Sequence, residues 1–345
     1  MRVLLTGHLG YIGTILAPML RKSGHEVVGF DMNLYAQCTF GELSCNIDGI
    51  RKDIRDVQAH DLEGYDAIIH LAGLSNDPLG DLNPALTFEI NHLASVNLAR
   101  LAKKVGIKRF IFSSSCSNYG AAGDRLINEE GVLQPVTPYA KSKVLSEQDI
   151  SRMADSSFTP TFLRSATAYG VSPRLRFDLV LNNLVSWAFT TGRIYLKSDG
   201  TPWRPIVHIE DISRAFVAVL EAPIEQIHNQ AFNVGRTDEN YQMKDLAEIV
   251  KDTVPNCEIE YAKNAGPDKR CYRVDCSKLA KKIPGFKPQW DARKGAKELY
   301  THIQKYGLSL EDFEGPRYKR VAHLQQLLTK GYLDSSLRWR VLAVA

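Results

Sequence analysis

The 345-residue chain has no apolar run near the roughly 18 residues that a membrane-crossing helix needs, which argues against a spanning protein. It has six cysteines (Cys38, Cys45, Cys116, Cys257, Cys271 and Cys276), and none stand in a C-x-x-C spacing. A zinc site and a disulfide scaffold are therefore not expected, and no metal is. Free thiols in a reducing cytoplasm fit better. The net charge is only +4, too small an excess to argue for a nucleic-acid partner. The N-terminus opens directly into a strand, without the pattern of a signal peptide. No internal repeat or low-complexity stretch interrupts the chain. What is left is an ordinary globular composition, 44% hydrophobic and 24% charged, long enough for one large domain or two smaller ones.

Against that plain background, two motifs stand out. The first follows a short apolar strand, Arg2 to Thr6, and reads Gly7-His8-Leu9-Gly10-Tyr11-Ile12-Gly13. A helix-like stretch continues to Leu20. Gly7 allows a tight turn, Gly10 lets backbone approach a phosphate, and Gly13 lets the helix pack on the strand. The helix start then offers free N–H groups and partial positive charge to a dinucleotide pyrophosphate. A second strand, Glu26 to Phe30, ends at Asp31. An acidic residue there grips the adenosine ribose hydroxyls. Neither Met32 nor Asn33 is an arginine, so NAD is favoured over NADP.

The second motif is Tyr139-Ala140-Lys141-Ser142-Lys143, just after Pro138. A spacing of four puts Tyr139 and Lys143 on one helical face. An adjacent ammonium, with the positive nicotinamide ring, would favour phenolate and tune the tyrosine toward use as a base. The pair alone is common on solvated helices. What singles it out is the preceding apolar strand, Arg109 to Phe112, and the run Ser113-Ser114-Ser115-Cys116-Ser117-Asn118-Tyr119-Gly120 beyond it. In open parallel sheets, ligands bind beyond the carboxyl ends of strands. A serine there can hold a substrate oxygen that Tyr139 deprotonates.

Together these residues resemble the extended short-chain dehydrogenase/reductase family, in its nucleotide-sugar epimerase/dehydratase branch, over roughly residues 1–300. Asp53-Ile54 matches the family's adenine-contacting pair, and His70-Leu71-Ala72-Gly73 the turn after the fourth strand. Asn91 matches an asparagine on the next helix, and Phe232 to Gly235 a characteristic strand and turn. The resemblance implies Ser115, Tyr139 and Lys143 as the catalytic triad. It implies Gly7, Leu9, Gly10, Tyr11, Ile12, Gly13, Asp31, Asp53, Ile54, Leu71, Ala72, Gly73, Asn91, Tyr139 and Lys143 as the NAD site. Candidate substrate contacts are Ser75, Asn76, Ser115, Cys116, Ser117, Thr167, Arg174, Arg176, Arg204 and Arg270. Arg204 matches the family's pyrophosphate arginine, and Arg270 is chosen as a second one entering from the C-terminal lobe.

Two departures narrow the activity. Family dehydratases carry Asp-Glu directly after the catalytic serine or threonine, and here those positions are Cys116 and Ser117. Thr167 stands where many sugar epimerases have asparagine. The reading is therefore an NAD-dependent nucleotide-sugar epimerase, acting at C4 through a transient keto-sugar. A net dehydrogenase or ketoreductase is the alternative; an unusual dehydratase and a non-catalytic NAD-binding protein rank lower. The family also implies a cytoplasmic homodimer, pairing through the helices around 84–105 and after Pro138.

Alternating strand and helix signals predict a doubly wound parallel α/β (Rossmann) sheet. Strands are expected near 2–6, 26–31, 49–53, 67–71, 109–114 and 159–164, with helices including 84–105 and 138–154. Residues 1–170 would form the cofactor domain, with 206–240 returning to it. Residues 171–205 and 241–307 would form a smaller α/β substrate lobe. Residues 308–345 read as a helical tail outside the family core, with a solvated helix at about 316–330 packed on the core, or else an oligomer contact.

Overall fold

A computed structural model of the chain describes residues 1–43, 47–120, 123, 125–262 and 271–340. The first half supplies β1 (Arg2–Thr6), β2 (Glu26–Phe30), β3 (Gly49–Ile50), β4 (Ala67–His70), β5 (Arg109–Ser115) and β6 (Leu126–Ile127). Then come β7 (Thr159–Ser165), β8 (Thr167–Tyr169), β9 (Arg193–Leu196), β10 (Trp203–His208) and β11 (Gln230–Val234). The last are β12 (Asn240–Gln242), β13 (Glu258–Tyr261) and β14 (Arg273–Val274).

Seven strands pair in parallel in the order β11-β7-β5-β4-β1-β2-β3. Their near-continuous apolar runs suit a sheet covered on both faces. Leu4, Ile68, Phe110 and Phe112 have no exposed surface. Burying each such side chain contributes about 1.5–3 kcal/mol. The chain winds outward from β1 to β3, then crosses to β4 on the other side of β1. This reversal opens a crevice at the carboxyl ends of β1 and β4. The glycine turn after β1 and the turn after β4 face each other across it, and a Cβ on Gly7 would fall 2.8 Å from the Ala72 nitrogen.

The third strand is shorter than expected. It stops at Ile50, and Asp53 then caps a short 3-10 turn by accepting from the Arg55 amide at 2.9 Å. The expected 84–105 helix is broken into a turn at Pro84–Thr87, a wide π turn at Phe88–Leu93, and a regular helix at Ala94–Lys104. The wide turn carries Asn91, whose side chain reaches inward to bond the Leu74 backbone.

Only part of 206–240 rejoins the main sheet. β11 does, beside β7, but β10 pairs with β8 and β12 in a separate three-stranded sheet. That small sheet carries the second lobe, whose core includes Tyr169, Leu184, Leu246 and Leu299. The tail packs on the core, as expected. Its Arg320–Thr329 helix buries Leu324 and Leu327 among Ile54, Leu62 and Leu79 of the main domain.

Gly295, in the Ala292–Tyr306 helix, lets the second lobe close on β8. A Cβ there would stand 2.1 Å from the Tyr169 ring. Gly295→Ala should therefore overpack this contact and destabilise the chain by about 1–3 kcal/mol. Urea denaturation with unchanged midpoint would contradict this packing.

Candidate active site

The crevice opens into a cavity of about 950 Å³ that runs from the glycine turn to the second lobe. At one end the backbone geometry makes the glycines obligatory. Gly7 has φ +74°, and a Cβ on Gly13 would meet the Gly7 oxygen at 2.3 Å. The helix begins at Gly13, so the amides of its first turn have no partners further back in the helix. Asp31 accepts from the amides of Leu9 at 3.1 Å and Asn33 at 2.7 Å, and its carboxylate faces the cavity. A narrow glycine cradle at a helix start and a carboxylate one strand away suit a dinucleotide carrying unmodified ribose hydroxyls.

At the middle lie the three residues of the proposed triad. Thr137 caps the Pro138–Ser151 helix by accepting from the Ala140 amide, and Pro138 occupies its first turn. Gly80 lets a neighbouring helix pack against this start, since a Cβ there would lie 2.9 Å from that of Tyr139. Tyr139 lines the cavity together with Ser115, at the end of β5. Ser115 also accepts from the Ser117 amide at 3.1 Å. Lys143 donates to the Ser113 carbonyl at 2.8 Å, with its ammonium 5.9 Å from the centre of the Tyr139 ring.

The protein alone does not lower the phenol, contrary to the expectation from spacing. Burial pushes Tyr139 up to about 12, with the Asp77 carboxylate adding to the rise and the Ser115 hydroxyl and Arg176 opposing it. Burial also pulls Lys143 down to about 8, resisted by Glu147. The phenol is thus protonated at neutral pH in the isolated chain. A cation added beside it is what would bring phenolate into range.

Behind Ser115 lies a polar network that sequence reasoning missed. The Glu147 carboxylate accepts from Arg164 Nη2 at 2.6 Å, from Asn118 at 3.1 Å, and from Ser114. Both members of the Glu147–Arg164 pair are buried. Glu147 stands four residues after Lys143, the same spacing that flagged the Tyr139 pair.

At the far end, Thr167, Trp187, Tyr195, Lys197, Arg204 and Tyr272 line the cavity. Most of the expected cofactor and substrate residues line it too: Leu9, Gly10, Tyr11, Ile12, Asp53, Ile54, Leu71, Ala72, Gly73, Ser75, Asn76, Ser117 and Arg176. Three do not. Asn91 acts one layer back, bonding Leu74 at 2.7 and 3.0 Å and so holding the turn after β4. Cys116 is fully buried and donates to the Arg164 carbonyl at 3.1 Å, and burial pushes its thiol well up. It is therefore not placed to touch substrate or to act as a base. Arg174 is buried behind the wall, donating to the Leu9 and Ala36 carbonyls and to Thr39. Asp31 feels its charge, a cation that local sequence did not reveal, but its donors are committed to those oxygens. Arg176, two residues on, reaches the cavity paired with Asp178 at 2.9 Å. Arg270 lies outside the described residues. Asp53 is gripped by Arg55 at 2.6 Å, which holds its carboxyl below the usual range.

A parallel sheet with this cleft, and a serine, tyrosine and lysine at its floor, defines a nucleotide-dependent oxidoreductase of the extended short-chain type. A model of the "NAD dependent epimerase/dehydratase family" matches residues 3–235, and the chain belongs to that family. It is 25% identical over 332 residues to the UDP-glucose 4-epimerase of Bacillus subtilis, covering 87% of this chain and 94% of that one. It is 27% identical to UDP-glucuronic acid decarboxylase 1 of Arabidopsis thaliana, over 91% of this chain and 72% of the relative. The structure resembles that of the UDP-glucuronic acid 4-epimerase of Bacillus cereus, solved with UDP-glucuronic acid and NAD. The TM-score there is 0.74 at 25% identity, covering 88% of this chain and 99% of the other.

The depressed lysine has a thermodynamic signature. Between pH 8 and 10.5 the unfolded chain holds a proton on this residue that the folded chain has shed, so stability from Lys143 should rise with pH across that window. The rise should be on the order of 3 kcal/mol. Denaturation of cofactor-free protein against pH should show it, and Lys143→Met should remove it. Equal pH slopes for both proteins would contradict the burial of a charged ammonium.

Proposed function

We propose that this chain is an NAD-dependent nucleotide-sugar epimerase that inverts C4 through a transient keto-sugar. The carrying observation is that Tyr139, Ser115 and Lys143 meet on the floor of the cavity that also holds the glycine turn and Asp31. The 4-epimerases among its relatives support the reading. NAD, when bound, accepts a hydride from the sugar carbon and returns it. Gly7, Gly10, Gly13 and the helix start would hold its diphosphate, and Asp31 its adenosine ribose.

The remaining steps belong to this chain. Ser115 orients the C4 hydroxyl and steadies the carbonyl oxygen that forms. Tyr139 takes the hydroxyl proton and returns it to the carbonyl oxygen once the keto-sugar has turned over to be reduced on its other face. Lys143, held by Ser113, keeps positive charge near the phenol. Arg204, with Lys197, is placed for the substrate diphosphate, and Trp187, Tyr195 and Tyr272 for a base. A dehydratase needs a second acid/base group beside the triad. At positions 116 and 117 the chain offers only a buried thiol and a serine hydroxyl.

The same proposal includes a homodimer. Leu93 and Leu145 are exposed on the two helical segments expected to pair, at 58% and 37%. It also places the protein in the cytoplasm, which suits the five described cysteines, all free.

Three outcomes test the reading. Incubation with a panel of nucleotide sugars, followed by NMR, should give a C4 epimer without net NADH at 340 nm; stoichiometric NADH would favour the dehydrogenase. Tyr139→Phe should lower kcat by about 10²–10⁴ while substrate binding survives, and near wild-type kcat would rule the base assignment out. Turnover in D₂O should leave the sugar carbons unlabelled, and Cys116→Ser should keep most activity. Carbon-bound deuterium together with a dead Cys116→Ser variant would move the assignment to a ketone-adjacent mechanism.

A further inference from the structure

The C-terminal segment returns to the cofactor end of the cavity and puts a charge there. Arg320 is 2% exposed and lines the cavity. Its guanidinium stacks on the Tyr35 ring at 3.9 Å, and its Nη2 donates to the Arg174 carbonyl at 3.0 Å. Its Nη1 is buried and finds no hydrogen-bond partner among the described residues. The carboxylate whose charge it feels, Asp178, is already bound through both oxygens by Arg176 at 2.9 Å and by Asn76 at 2.8 Å. A buried cation with an open donor and no carboxylate of its own is a site for an anion.

Position identifies which anion. The residue whose carbonyl receives Arg320 also donates to the Leu9 carbonyl, at 3.2 Å, in the glycine turn. Tyr35, beneath the guanidinium, lies four residues beyond Asp31. The open Nη1 is therefore tied through Arg174 to the turn that receives a dinucleotide diphosphate, and lies in the cavity that this turn lines. The segment is braced there. Trp339 donates to the Met32 carbonyl at 2.7 Å, His323 Nε2 contacts the Leu34 carbonyl at 3.1 Å, and Leu337 lines the cavity.

We propose that Arg320 is a cofactor-binding residue that grips the NAD diphosphate, so that the C-terminal segment forms one wall of the dinucleotide site. This rests on the NAD reading above. It also gives the segment a purpose in an epimerase: a cofactor that must return its hydride to the same sugar has to stay bound between the two transfers.

The test is calorimetry on the cofactor-stripped full chain, with NAD, ADP, adenosine, UDP and 2′,5′-ADP as probes. Arg320→Met keeps the stem and removes the charge. It should weaken NAD and ADP at least about tenfold while leaving adenosine and UDP within about twofold. Arg320→Lys, which keeps one donor and the charge, should recover part of the loss, and it carries the comparison if the methionine variant fails to fold. NAD and ADP binding unchanged in the folded variant would overturn the proposal. So would an equal loss for adenosine and UDP, which would mean a packing role, or a greater loss for 2′,5′-ADP than for ADP, which would put the guanidinium on a ribose phosphate. Wild-type protein that binds neither NAD nor ADP would instead overturn the cofactor site itself.

Discussion

The buried pairing of Glu147 with Arg164 is the contact on which the arrangement of the active site depends. It ties three separate pieces of chain together: the helix of Tyr139 and Lys143, the strand β7, and, through Ser114, the end of β5. Arg164 also donates to the Tyr119 hydroxyl and the Glu129 carbonyl, both at 3.1 Å, so the charged pair has few unmet donors. Breaking one half of such a pair costs about 3–5 kcal/mol because a buried charge is left behind. Function gives the pair a second value. Ser115 ends the strand that the network fixes, and Tyr139 begins the helix that it fixes. Their meeting on the cavity floor follows from a framework set two turns away.

That framework explains the titration behaviour as well. Desolvation dominates at both Tyr139 and Lys143, raising one and lowering the other, each toward its neutral form. The isolated chain therefore stores a neutral phenol beside a weakened ammonium. A site of this kind becomes basic only when positive charge arrives in it, which confines proton abstraction to the loaded state. Burial excludes water and holds the phenol neutral until that charge arrives.

How much of this was legible in the sequence depends on the range over which each feature is determined. β1, the glycine turn, Asp31 and the Tyr139–Lys143 pair are local patterns, and each lies where local reasoning put it. Errors arose within one or two residues of correct positions. Ser115 and Ser117 face the cavity while Cys116 between them is turned into the core, because neighbours in an extended chain point to opposite sides. Arg176 faces the cavity while Arg174, in the same loop, is held by the Leu9 and Ala36 carbonyls, contacts more than 130 residues away in sequence. The broken helix at 84–105 had no proline or glycine within its wide turn to announce it; the deviation serves Asn91, whose partner Leu74 lies 17 residues away.

The tail was least legible, and the reason is the same one that gives it interest. Its contacts join residues near 320–339 to residues near 32–56, across almost the whole chain. Nothing local to Arg320 marks it as different from Arg317 or Lys319. Arg317 stays at the surface, donating to the Gln37 and Thr39 carbonyls, and Lys319 pairs with Glu314 at 2.7 Å. Arg320 instead goes inside, which a lone cation does only at a cost in solvation. Stacking on Tyr35 and one backbone carbonyl offset part of that cost; an anion in the cleft would offset the rest. The apolar residues that follow it, Leu324 and Leu327, anchor the helix firmly enough to hold the charge in place. Arg320 shares a helix face with Leu324 and Leu327, four and seven residues on, so their burial draws the cation inward with them, at the end of the cavity that the glycine turn already marks for phosphate.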